Sequence, residues 1–325
     1  MRFILRRLGF YLLAAWASLT INFFLPRLIP GDPASTIIAS SRGQMRPEQI
    51  NQLKEALGIS DAPIIQQYFT YLSHVLRGDF GISFSAFPSP VTTVISTGLI
   101  WTLLLGGAAL IISFLLGNLI GVVASWRRGG LLDTTLPPLL VLIGAFPPFF
   151  LALMALFFLG LNMGWFPLRH AYDDGVAPGW TFTFVASVAE HLLLPAITIV
   201  LVSIGGWVLG MRNTMIGVLA EDYITMAEAK GLSQREVMFK YAARNALLPS
   251  VTAFGMALGF VLSGQILIET IFSYPGLGYL LVKSVTSLDY PLMQGLFLMI
   301  TFAVLAANFI VDVVYTRLDP RVRTG

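Results

Sequence analysis

The sequence predicts an all-α integral membrane protein with six transmembrane helices and an extracytoplasmic insertion between the first and the second. Three observations carry this. Of the 325 residues, 56% are hydrophobic and only 11% are charged, whereas soluble chains carry about 25% charged residues. The mean hydropathy is +0.78. The apolar residues also gather into runs of the roughly 20 residues that a helix needs to cross a bilayer.

Six such runs are expected, at 8–29, 94–126, 136–161, 191–211, 247–272 and 291–315. The second is longer than a crossing requires, so its first turns are expected outside the bilayer. Basic residues set the orientation. Arg2, Arg6 and Arg7 precede the first run, and Arg127 and Arg128 follow the second. Arg212, Lys230, Arg235, Lys240 and Arg244 follow the fourth, and Arg317, Arg321 and Arg323 follow the last, so that 13 of the 20 Lys and Arg lie on one side. The positive-inside rule makes that side cytoplasmic, with both termini. Arg2, Arg6 and Arg7 ahead of Ala15-Trp-Ala17 would also suit a signal peptide, but the apolar run continues past Phe23 and Phe24 to Leu28, beyond the length of a signal core. The organisation expected is a first transmembrane helix at 1–29, an extracytoplasmic segment at 30–93 and a five-helix core at 94–325, including a cytoplasmic loop at 212–246.

Within 30–93, Pro30-Gly-Asp-Pro33 stops the first helix. Short helices are expected at 47–57 and 64–76, the second with Tyr68, Tyr71, Leu72 and Val75 as its apolar side. The segment reads equally as a lid or docking platform and as a cap on the bundle. Pro137-Pro138 and Pro147-Pro148 are expected to interrupt the third run. Small residues recur every fourth position as Ser113, Gly117 and Gly121, as Gly206 and Gly210, and as Gly255, Gly259 and Ser263, a spacing that lets helices approach closely in lipid.

The loop after the fourth run reads as two short, well-ended helices. Glu221 and Asp222 put negative charge at the first amino terminus, and Lys230 lies in the last turn. Gly231 falls where a left-handed residue ends a helix. Ser233 and Glu236 have capping-box spacing. Glu236, Lys240 and Arg244 recur along one face of the second helix, and Val237, Tyr241 and Leu248 mark a more apolar face.

Signals for catalysis are missing from the sequence. The three histidines, His74, His170 and His191, have no metal-ligand spacing, and no phosphate loop or nucleophile elbow occurs. There is no cysteine. A formal charge of +3 gives no footprint for nucleic acid. Intramembrane carboxylates are few, with Glu269 and Asp312 near the ends of the fifth and sixth runs, which argues against a proton-driven carrier. Asn118, Ser203, Ser263, Gln265, Gln294 and Asn308 either face a polar cavity or hydrogen-bond between helices.

On its motifs the chain resembles the inner-membrane permease of bacterial ABC importers for dipeptides, oligopeptides and nickel, and specifically the first of the two permease subunits. The resemblance is almost end to end. It runs through Arg6-Arg7-Leu8, Pro30-Gly-Asp-Pro33, Arg77-Gly-Asp-Phe-Gly81, Leu194-Pro195-Ala196, the segment 222–231, Leu247-Leu-Pro249, Glu269-Thr-Ile-Phe-Ser-Tyr-Pro-Gly-Leu-Gly278, Asp289-Tyr-Pro291 and Asp319-Pro-Arg321. It implies the ABC type I importer permease fold, with 30–93 as a scoop-like outer domain, in a bacterial inner membrane. In that family the cytoplasmic loop carries a Glu-Ala-Ala motif whose helix sits in a groove of the ATPase. The matching glycine is Gly231, and the motif's opening falls on Thr225, Met226 and Ala227. Only Ala227 keeps the pattern, so no glutamate role is carried over. Tyr241 and Asn245 also depart from the residues many relatives have, histidine and proline.

The resemblance implies that Asp222, Tyr223, Ile224, Ala227, Ala229, Lys230, Gly231 and Leu232 couple to the ATPase, with Ile224, Ala227 and Leu232 anchored in its groove. Ser263, Gln265, Glu269 and Gln294 are the candidate translocation path. Implied partners are a second homologous permease, two cytoplasmic ATPase subunits that hold ATP and Mg, and an extracytoplasmic substrate-binding protein, all around a lipid-embedded chain without a cofactor of its own. Peptide is the expected cargo. Oligosaccharides and nickel chelates are the alternatives within the family, and an ATP-independent secondary transporter is the alternative outside it.

Overall fold

The structure, a computed structural model, describes residues 2–28, 62–261 and 265–318, with side chains over 9–28, 62–261 and 265–309. The Pro30–Pro33 break, the helix expected at 47–57, and Asp319-Pro-Arg321 lie outside the described residues. Helices dominate: α1 (Arg2–Leu28), α2 (Ile64–Leu76), α3 (Val91–Trp126), α4 (Leu131–Gly144), α5 (Pro148–Ala155, continued by a π-helical stretch Leu156–Asn162), α6 (Phe182–Val218), α7 (Asp222–Ala229), α8 (Gln234–Glu236, continued by a π-helical stretch Val237–Ala243), α9 (Arg244–Val261), α10 (Ile266–Ile271), α11 (Leu277–Thr286) and α12 (Tyr290–Leu318).

Among the described residues, four helices are long and apolar enough to cross a membrane, within α1, α3, α6 and α12, and the bent pair α4–α5 makes a fifth if it is one span. The segment expected at 247–272 is divided. α9 is described as far as Val261, residues 262–264 lie outside the described residues, Gln265 is not helical, and α10 begins at Ile266. The prolines of the third run behave differently from one another. Pro147-Pro148 stand at a 93° bend between α4 and α5, whereas Pro137 and Pro138 lie inside α4. The donors that these two lack would have served carbonyls of the first turn, so the later turns keep their own bonds. α6 starts nine residues before the expected 191, because Thr181 caps it by accepting from the Phe184 N–H.

The chain forms two compact units. The first comprises 1–102, 262–266 and 275–325. Its core joins Val91 and Ile95 of α3 to Leu277 and Leu281 of α11 and Leu292 and Leu296 of α12. α2 lies along α1 by the side expected, with Tyr68 bonded to Thr20 at 2.8 Å and Tyr71 accepting from Asn22 at 3.4 Å. Burial pushes the Tyr71 phenol up to about 12. The Arg27 guanidinium sits 3.7 Å over the Phe23 ring and donates to Gln67. A buried carboxylate, Asp289, joins the start of α12 to the turn before α3. It accepts from Ser83 Oγ at 2.6 Å and from Ser85 N and Oγ at 2.9 Å each.

The second unit comprises 103–261 and 267–274. There α3 packs on α6 through the first of the small-residue rows. A Cβ on Gly117 would come 2.5 Å from Trp207 Cβ, and one on Gly121 would come 2.7 Å from the Val208 carbonyl. Ser113 completes the row with a 2.8 Å bond to Ser203. This row therefore lets α3 and α6 approach closely. Gly206 and Gly210 meet nothing within 4 Å. Many side chains of α3 stay exposed and apolar, including Ile100, Leu103, Leu115 and Leu119, as a helix bordered by hydrocarbon requires.

Candidate functional site

The loop beyond α6 is ordered by its own end signals. Glu221 stands at the N-cap of α7, with Asp222 in the first turn, where the helix dipole favours negative charge. At the other end the Gly231 N–H bonds the Glu228 carbonyl at 2.8 Å, and Gly231 has φ +80°. A β-branched side chain there meets the steric cost of the left-handed region, about 1–2 kcal/mol. Gly231→Val is expected to lower the melting temperature of the chain and to misdirect α8, which a thermal melt in detergent checks; an unchanged melt refutes it. Ser233 then caps α8 by accepting from Glu236 N at 3.3 Å. Lys240 donates to Glu236 at 2.9 Å. The Lys240 ammonium, aided by Ser233, holds the Glu236 carboxyl below its usual range, and the carboxylate raises Lys240 in return. Both groups are solvent-exposed, so the pair orients the helix more than it stabilises it.

Beneath this surface the loop is bolted to the ends of two long helices. Val122 of α3 and Met211 and Met215 of α6 form one apolar cluster with Ile224, Ala227, Val237, Ala242 and Ala246, and Leu232 packs against it. Two sequence expectations change as a result. Ile224 and Ala227, each 3% exposed, are not available to anchor in a partner's groove, because they face the chain's own core. The buried face after Gly231 is Val237, Ala242 and Ala246, while Tyr241 and Leu248 are exposed. The cause is the π-helical stretch Val237–Ala243. It adds a residue to one turn, so the inward position moves from i+4 to i+5 and the face rotates. The same rotation brings Asn245 to donate to the Tyr223 hydroxyl at 3.0 Å, tying α9 to α7.

α7 leaves Asp222, Tyr223, Thr225, Met226, Glu228 and Ala229 outward, followed by Lys230, with Met226 61% exposed. Phe239 and Tyr241 are exposed beyond it. This combination of apolar side chains with charged neighbours on rigid, capped helices suits the docking of another protein.

Of the four residues read as a path, the structure describes Gln265, Glu269 and Gln294. Ser263 lies outside the described residues. Gln265 is exposed at the start of α10, and Glu269 is 1% exposed on that helix, its carbonyl accepting from the Tyr274 N–H at 2.7 Å. Gln294 sits on α12 against α1, where its carbonyl accepts from Asn22. Asn118 donates to the Phe114 carbonyl of its own helix, while the bond between Ser203 and Ser113 joins α6 to α3. Two arrangements were missed from sequence. One is a groove of about 400 Å³ between α6 and α9, lined by Gly206, Trp207, Gly210, Pro249, Ser250 and Ala253 among others; the Gly206–Gly210 spacing was its only signal. The other is an ion pair from Arg212 Nε to Asp133, which no local pattern announces. Among the described residues no group of three potential metal ligands occurs.

Comparison with known proteins agrees with this architecture. Residues 117–324 match the family described as binding-protein-dependent transport system inner membrane component, and residues 1–101 match the N-terminal family of the same membrane components. The chain is 35% identical over 323 residues to the dipeptide transport system permease protein DppB of Lactococcus lactis subsp. cremoris (strain MG1363), covering 99% of each. It is 33% identical over 334 residues to the di/tripeptide transport system permease protein DppB of Pseudomonas aeruginosa (strain UCBPP-PA14), covering 99% of this chain and 98% of the relative. It is 35% identical over 340 residues to the dipeptide transport system permease protein DppB of Escherichia coli (strain K12), covering 99% of each.

Proposed function

The chain belongs to the family of binding-protein-dependent transport system inner membrane components, and from that premise we propose that it is the first of two permease subunits of an ATP-driven importer whose cargo is a short peptide. The observation that carries this is similarity to dipeptide permeases over nearly the whole of both chains. The partners are a second permease, two ATPase subunits holding ATP and Mg, and a binding protein that delivers the peptide to the extracytoplasmic face. The membrane is the bacterial inner membrane, with both termini and 212–246 in the cytoplasm, as the basic residues favour.

In this reading α7 is the coupling helix. Tyr223, Met226 and Lys230 touch the ATPase, flanked by Asp222 and Ala229. Ile224, Ala227 and Leu232 hold the helix from beneath, and Gly231 sets its angle to α8. ATP binding draws the ATPases together and displaces α7 and α8 as capped, rigid pieces. The long helices then move between inward- and outward-open states, biased by the difference in nucleotide contact between the two.

Met226→Asp tests the contact. It puts a charge at the centre of the outward face and is expected to weaken ATPase association at least tenfold, as the loss of an interface anchor does. Co-purification of the ATPases with the chain measures this. Unaltered recovery with Met226→Asp would exclude α7 as the docking element.

A further inference from the structure

On the reading of this chain as an ATP-driven permease, we infer that the Asp133–Arg212 ion pair is the linkage that carries movement of the coupling helix into the broken helix α4–α5. The pair is built rather than incidental. The Asp133 side chain is 5% exposed and that of Arg212 is 23% exposed. One carboxylate oxygen takes Arg212 Nε from α6, and the other takes the Gly129 N–H at 2.9 Å, from the turn that leads into α4. Arg128 in the same turn adds a second positive charge near the carboxylate.

The position of Arg212 supplies the mechanics. It lies between Met211 and Met215, and both are buried in the cluster that holds Ile224 and Ala227 of α7. Any displacement of α7 that moves those methionines moves Arg212 with them. Elsewhere α6 meets α4 through apolar contact, with Gly205 against Leu140. Apolar contact has no direction and allows helices to slide. A charge-assisted hydrogen bond fixes both distance and direction. Asp133 is in the first turn of α4, and the far end of α4 is the 93° bend. A pull at Asp133 therefore acts at one end of a helix whose other end is the bend. Asp133 and Arg212 are positioning residues and touch no substrate.

The test uses the complete complex in vesicles with a binding protein and a radiolabelled dipeptide. Uptake and ATP hydrolysis are measured in the same vesicles, per assembled complex. Asp133→Asn and Arg212→Gln are each expected to lower dipeptide taken up per ATP by roughly fivefold, and the double variant by no more than either single one, since both remove one interaction. Wild-type uptake per ATP in the single variants overturns the proposal. So do losses that multiply in the double variant, or uptake and hydrolysis that fall in proportion. If Asp133→Asn does not assemble, Arg212→Gln decides, because it removes the guanidinium and leaves Asp133 with its Gly129 bond in place. Reduced uptake per ATP is expected there, and a wild-type value refutes the linkage. Absence of ATP-dependent uptake by the wild-type complex is a separate result, and it removes the permease reading itself.

Discussion

Ala227→Asp is expected to destabilise the chain by about 3–5 kcal/mol, the range for a buried charge left without a partner. Ala227 is 3% exposed in a cluster of valine, methionine, isoleucine and alanine side chains. A carboxylate there must lose its hydration, and the buried side chains that form the cluster are all apolar and supply no counter-charge to replace it. Either the acid is driven to its neutral form or α7 lifts from the ends of α3 and α6. Both outcomes appear as a lower melting temperature and faster proteolysis of 219–246 in the isolated chain, before any ATPase is added. Met226→Asp, one residue earlier but 61% exposed, is expected to leave the melt within about 0.5 kcal/mol of wild type while still releasing the ATPases. The two neighbours thus separate a folding role from a docking role. Equal melts for the two variants would show that Ala227 does not face the core.

Asp289→Ala is the second large effect, expected to cost about 3–5 kcal/mol. The Asp289 side chain is fully buried and accepts from Ser83 Oγ, Ser85 Oγ, Ser85 N and, at 3.2 Å, the Leu292 N–H of α12. Hydrogen bonds to a charged group contribute about 1.5–3 kcal/mol each, and a buried donor left without an acceptor costs a further 1–3 kcal/mol. These terms share one carboxylate and do not add fully. Loss of the bond to Leu292 also removes the cap from α12. Hydrogen exchange reads the result directly. The Ser85 amide should lose most of its protection, while amides in the middle of α6 should keep theirs. Asp289→Asn retains one acceptor oxygen and is expected to fall between wild type and alanine. Full protection of Ser85 in the alanine variant would mean that the carboxylate does not hold this turn.

The short helices after α6 were legible from sequence to an unusual degree, because their signals are local. A cap acts within three residues and a left-handed glycine within two, so Glu221, Gly231 and Ser233 mark the ends of α7 and α8 with no knowledge of the fold. The face of the second helix was misread because periodicity assumes 3.6 residues per turn. The π-helical stretch breaks that assumption, and nothing between Val237 and Ala243 declares it. The bend at Pro147-Pro148 was legible as a break, but the continuity of α4 through Pro137-Pro138 was not, since both pairs carry the same local chemistry.

By itself the sequence determined the class of protein, the approximate places of its long helices and the ordered loop between them, since burial in lipid and helix capping are written in composition and short-range spacing. Tertiary structure alone decided which residues of the loop face inward, that Arg212 meets Asp133 across 79 positions, and that Asp289 gathers Ser83 across 206. Pairings at such separations depend on how helices pack, and packing is set by every contact along them at once, so a single stretch of chain does not contain it.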